Sequence, residues 1–119
     1  MIYLCSPYTD ADPAVREARF DAVCRAAASL IRQGKTIFSP VAHSYPICRF
    51  GLPGDWEFWG PHGLEHLAVC DEVVVLKLNG WRESRGVQAE VAQARALGKP
   101  VTFLAPAAHA EENPGQSRG

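Results

Sequence analysis

The chain has 119 residues, 47% of them hydrophobic and 21% charged, with 12 Lys and Arg against 13 Asp and Glu for a formal net charge of −1. That length suits one domain burying roughly two-thirds of its unfolded surface. The charge balance excludes a generic nucleic-acid binder or a polybasic membrane anchor, both of which need a basic excess. No apolar run approaches the ~20 residues that span a bilayer, so no membrane association is expected. Met1 to Cys5 lacks a basic leader and runs straight into a strand-like stretch, which predicts a cytoplasmic protein. Cys5, Cys24, Cys48 and Cys70 form no C-x-x-C pair and read as reduced, small hydrophobes, with no metal site expected.

In chain order, Ile2 to Cys5 predicts a strand ended by Ser6-Pro7-Tyr8-Thr9, because Pro7 removes a ladder donor. Asp12-Pro13 reads as N-cap and first residue of an alanine-rich helix running to Gln33, with Gly34 as its stop. Its apolar stripe includes Ala22, Val23, Ala27 and Leu30. Thr36 to Phe38 is a short second strand, closed by Ser39-Pro40. From Ser39 to Gly54 three prolines and two glycines predict a long loop, the kind that often binds ligands. Asp55 is placed to cap a helix carrying Trp56, Phe58, Trp59, Leu64 and Leu67, which Gly60-Pro61 should interrupt.

Val73-Val74-Val75-Leu76 is a continuous apolar run, the mark of a parallel strand covered on both faces. Asn79 to Ser84 forms a loop, a helix follows to about Leu97 and ends at Gly98-Lys99-Pro100, and Val101 to Leu104 is the last strand. The tail, 105–119, is rich in Ala, Glu, Pro and Gly and is expected to be poorly ordered. The alternation predicts an α/β domain over residues 1–104 with a mostly parallel sheet of four or five strands. Ligands bind such sheets beyond the strands' carboxyl ends. The loops falling there are Ser6–Thr9, Ser39–Gly54 and Asn79–Gly86.

Those loops carry the unusual chemistry. Ser84 stands where a hydroxyl can cap the last helix and where free backbone N–H groups suit an anion, above all a phosphate. Gly86, costly in a first helical turn, leaves room for a ligand to approach the backbone. Glu90 lies one turn further on, beside the Val87–Val91–Ala94 stripe, and leans toward that gap. It reads equally as an exposed helical glutamate or as a nucleophile or base aimed into a cleft. Ser6, Pro7 and Tyr8 form a turn that offers hydroxyls to a ligand. His43 and Ser44 are candidates for sugar or phosphate contacts, or plain loop residues. His62 and His66, four apart, lack the remaining pattern of a metal motif. Trp81 suits stacking on a base, while Trp56 and Trp59 read as core.

The opening Ile2-Tyr3-Leu4-Cys5-Ser6-Pro7-Tyr8-Thr9 resembles the first strand and loop of the nucleoside 2-deoxyribosyltransferase-like superfamily. So does Cys70-Asp71-Glu72-Val73-Val74-Val75-Leu76 followed by Gly80-Trp81-x-x-Ser84-x-Gly86-x-x-x-Glu90. Within it the chain is most similar to the domain of unknown function 1937 group, over nearly all of residues 1–104. The resemblance implies a flavodoxin-like three-layer sandwich and cleavage or transfer of the N-glycosidic bond of a nucleoside or nucleoside 5′-monophosphate. It implies Glu90 as nucleophile, Tyr8 as the phenol that positions it, and Ser84 with Gly86 at the 5′-phosphate. It also implies retention through a glycosyl ester, no metal or organic cofactor, and a homodimer or larger homo-oligomer completing the pocket. One departure stands out. Eight residues before Asp71, where the superfamily carries an aspartate, this chain has Gly63. Glu65, His62 or Asp55 would have to substitute, or the chain is a nucleotide-binding protein that has lost its acid.

Overall fold

The structure is a computed structural model that describes residues 1–106. Its elements run β1 (Ile2–Cys5), α1 (Pro13–Arg32), β2 (Ile37–Phe38), α2 (Pro40–Cys48), α3 (Trp56–Val69), β3 (Glu72–Leu76), α4 (Arg85–Ala96) and β4 (Val101–Leu104). The four strands are all parallel in the order β2-β1-β3-β4, the flavodoxin-like winding. The tail expected to be poorly ordered lies almost wholly outside the described residues.

β1 shows why the domain has three layers. All four of its residues are buried, and alternate side chains serve opposite faces of the sheet. Ile2 and Leu4 join Val74 and Leu76 of β3 against Ala22, Val23, Ala27 and Leu30 of α1 and Val41 of α2. Tyr3 and Cys5 join Val73 and Val75 against Leu67 of α3 and Val87, Val91 and Ala94 of α4. The expected burial of β3 on both faces is therefore met.

The helix starts are set by short polar caps. The Asp12 carboxylate accepts from the Ala14 amide at 2.9 Å, and the Ser84 hydroxyl accepts from the Val87 amide at 3.2 Å. Two expectations are corrected. The stretch after Ser39 is not one long loop: Ser39 accepts from the Ala42 amide at 3.1 Å and starts α2, with Pro40 in its first turn and Pro46 carried within it. Gly60-Pro61 does not interrupt α3, which runs unbroken to Val69. Beyond it, the Lys99 ammonium bonds the carbonyl oxygens of Leu67 and Ala68 in the last turn and of Cys70 just after it.

The loops after β1 and β3 are tied together by one side chain. Arg19 of α1 donates to the Thr9 carbonyl and to the Asn79 carbonyl, each at 2.9 Å. Gly80 has φ of +91°, a backbone conformation that favours glycine, and a Cβ there would lie 2.6 Å from an Arg19 guanidinium nitrogen and push that side-chain end aside.

Candidate active site

Beyond the carboxyl ends of β1, β2 and β3 lies a cavity of about 380 Å³, within the range of small-molecule sites. Its walls come from the loop after β1, from α2, from the start of α3 and from the first turns of α4. This is where the chain departs in opposite directions from neighbouring central strands, the usual ligand crevice of such sheets.

Glu90 lines this cavity. It sits on the buried stripe of α4 with Val87, Val91 and Ala94 and is only 4% exposed. An unpaired carboxylate is almost never buried this far. Burial raises its pKa to about 7, opposed by hydrogen bonds from the Tyr3 phenol and the Cys5 thiol. The Tyr3 hydroxyl donates to Glu90 Oε2 at 2.6 Å. Tyr3 is fully buried, and burial together with the adjacent carboxylate drives its own pKa upward, so it holds its proton. Burial first, and Glu90 next, also push the Cys5 thiol up.

The phenol that holds Glu90 is thus Tyr3 and not Tyr8, which corrects the expectation. The two-residue alternation of β1 is the reason: Tyr3 and Cys5 face α4, whereas Tyr8 lies past the strand. Tyr8 lines the cavity wall and meets Tyr45 of α2 edge-on, with ring centroids 5.7 Å apart. Burial raises its pKa, and the Arg16 guanidinium acts against that rise.

Gly63 has its place in the same cluster. A Cβ built on it would stand 2.7 Å from the Tyr3 hydroxyl and 3.6 Å from Glu90 Oε2. The position counted back from Asp71 therefore does face Glu90, and the Tyr3 hydroxyl fills the space a side chain there would need. Of the three proposed substitutes, Asp55 lines the cavity; His62 and Glu65 are not among the residues that line it. Asp55 holds the N-cap position of α3, yet its carboxylate makes no capping bond.

Ser6, Ser84 and Gly86 also line the cavity. Ser6 is 6% exposed and its hydroxyl has no partner among the described residues. Ser84 spends its oxygen on the cap of α4. The space left by Gly86 is used by the protein itself: a Cβ there would come within 3.2 Å of the Trp56 indole. The same indole lies over Gly60, where a Cβ would meet it at 2.8 Å. Trp56 and Trp59 are therefore cavity walls and not core. Trp59 is fixed by donating its indole N–H to the Pro53 carbonyl at 2.6 Å.

Three candidates stand elsewhere. Pro7 is fully buried and does not line the cavity. Trp81 packs on Phe103 of β4 at a centroid distance of 5.3 Å, with the Arg82 guanidinium over its ring at 5.0 Å. His43 is on α2, turned into an aromatic seam with Phe38, Trp59, His62 and His66. Its Nδ1 is buried without a partner among the described residues, and burial, then His62 and His66, lowers its pKa. Among the described residues no group of three or more His, Cys, Asp or Glu is arranged to hold a metal ion, and no helix is long and apolar enough to cross a membrane.

The fold and the site together define a class, an α/β sandwich with a buried, phenol-bound glutamate at the carboxyl ends of its central strands. The sequence model of the family described as "Domain of unknown function (DUF1937)" matches residues 1–105, and the chain belongs to that family. Among solved structures, the chain is similar to a 2-deoxyribosyltransferase from the psychrotolerant bacterium Bacillus psychrosaccharolyticus, characterised as a biocatalyst for nucleoside synthesis. The two are 29% identical with a TM-score of 0.64, over 90% of this chain and 73% of that one. No curated protein sequence matches.

Proposed function

We propose that the protein cleaves or transfers the N-glycosidic bond of a nucleoside, with Glu90 as the nucleophile. The observation that carries this reading is the position of Glu90: buried, lining the cavity, and oriented by the Tyr3 hydroxyl at 2.6 Å. The similarity to a deoxyribosyltransferase supports the same chemistry. In this reaction a Glu90 oxygen attacks C1′, the C1′–N bond breaks with its electron pair going to the base, and a glycosyl ester forms. Water or a second base then attacks C1′, restores the carboxylate and leaves the configuration retained. Tyr3 fixes which oxygen of Glu90 is free to attack. The Ser6 hydroxyl, without a partner, is available to a sugar oxygen.

The test is release of free base from a panel of ribo- and 2′-deoxyribonucleosides and their 5′-monophosphates by the wild-type chain and Glu90→Ala. Base release lost in Glu90→Ala supports the assignment, and base release unchanged by it removes Glu90 from the mechanism. A second reading is favoured by Gly63, which leaves no carboxylate at that position: a binding protein that holds the nucleoside and does not turn it over. Thermal protection by a nucleoside with no base release would establish it. We also propose self-association through exposed apolar side chains, of which Phe50 is 80% exposed and Leu52 and Phe58 are exposed as well. Light scattering that finds only monomer at micromolar concentration would refute this.

A further inference from the structure

We propose that the substrate's base is a cationic heteroaromatic ring, a pyridinium or an N-alkylated purine, on a sugar that carries no 5′-phosphate. This rests on the glycosidic reading above and names its substrate class. The first argument is charge. Among the described residues, the cavity is lined by the carboxylates of Asp55, Glu57, Glu83 and Glu90 against one cation, Arg85. Arg85 is already bound to Glu57 by an ion pair. A phosphate dianion entering this cavity meets more carboxylates than cations, even with the Arg16 guanidinium beside Tyr8, whereas a cationic ring is drawn in.

The second argument is space. The first turn of α4 is the natural seat for an anion, yet the Trp56 indole covers Gly86 there, and the Val87 amide already donates to the Ser84 hydroxyl. The third is the wall itself. Tyr8, Tyr45, Trp56 and Trp59 line the space beside those carboxylates, and aromatic rings with acidic groups are the combination that holds an aromatic cation.

The fourth argument concerns the leaving group. A neutral purine or pyrimidine must gain a proton as its bond to C1′ breaks. The group nearest the Gly63 position is the Tyr3 hydroxyl, whose proton is committed to Glu90 and whose environment holds it there. A cationic base needs no such donor. When Glu90 attacks C1′, the C1′–N electron pair neutralises the ring's charge and the base departs neutral. Water then attacks C1′ of the ester, the oxygen pair returns to Glu90, and one proton passes to solvent. Sugar, base and proton are the balanced products. The bond breaks without a proton donor at the Gly63 position.

The experiment compares kcat/KM for base release from nicotinamide riboside, its 5′-monophosphate, adenosine and inosine, with the 2′-deoxy counterpart of each nucleoside run alongside so that comparisons stay on one sugar. The cationic nucleoside should exceed the neutral ones by about tenfold or more, and its 5′-monophosphate should fall below it. The Asp55→Asn/Glu83→Gln double variant should raise KM for nicotinamide riboside severalfold more than it raises KM for inosine. Neutral nucleosides cleaved equally well or better would overturn this inference and leave the glycosidic reading intact, as would preference for the 5′-monophosphate. Base release from none of them would overturn both.

Discussion

The Tyr3 hydroxyl stands 2.7 Å from where a Cβ on Gly63 would be, so one small space beside Glu90 holds either a phenol oxygen or a side chain from α3, but not both. Tyr3 is fully buried and cannot swing aside. The absence of an aspartate at this position and the hydrogen bond from Tyr3 to Glu90 are thus two aspects of one packing solution.

Gly63→Ala accordingly destabilises the fold by about 1–3 kcal/mol, the cost of overpacking a filled interior, despite alanine's better helix propensity. In a Tyr3→Phe background the clashing oxygen is gone and the same substitution becomes close to neutral. A double-mutant cycle by denaturant unfolding measures the coupling. Equal costs in both backgrounds would refute the shared-space account.

Glu90 sets a pH dependence of stability. Its carboxyl has a folded pKa of about 7, above the ordinary value of 4.5, because burial penalises the charge. Between those values the folded state binds more protons than the unfolded one, so this contribution is intact below about pH 4.5 and is lost as pH rises through 7. Glu90→Gln carries no such charge and should gain on the parent between pH 5 and pH 8, by on the order of 2–3 kcal/mol. Unfolding curves at the two pH values check this.

The same group shapes the rate. With Glu90 as nucleophile, base release should rise with pH along a limb centred near pH 7, where its carboxylate forms. Tyr3→Phe removes a hydrogen bond that favours the charged form, so the limb should move to higher pH and the plateau should drop at least tenfold. Initial rates from pH 5 to pH 9 give both quantities.

How far these features can be read from sequence varies by residue. Glu90 was legible because a carboxylate interrupts an otherwise apolar helical stripe. The caps at Asp12 and Ser84 were equally plain. Tyr3 was hidden because a strand buried on both faces has no alternation to betray which side chain faces α4. Helix α2 was missed because Pro46 and the glycines after it outweighed Ser39-Pro40, although that pair repeats the cap pattern of Asp12-Pro13. Trp56 as a wall could not be seen from spacing, since its contact with Gly86 joins residues thirty positions apart.

Lys99 is expected to matter for stability alone. Its ammonium bonds three carbonyls at the end of α3 and just beyond, and Lys99→Met should cost about 1–2 kcal/mol with no change in KM for any nucleoside. Thermal unfolding alongside steady-state kinetics separates the two effects.

Trp81, read from sequence as a stacking platform, should likewise leave KM unchanged in Trp81→Phe, because its ring packs on Phe103 away from the cavity. A rise in KM comparable to that of a cavity-wall variant such as Trp59→Ala would return Trp81 to the site.

The indole of Trp56 lies in a slot made of two missing side chains, at Gly60 and Gly86. These three positions pack as a single unit. A side chain at Gly60 would meet the indole at 2.8 Å and force it to move, one at Gly86 asks it to give by a few tenths of an ångström, and loss of the tryptophan releases both glycines from constraint. Among descendants of this chain the three should change together, and where they have changed, the first turn of α4 lies open to a different ligand.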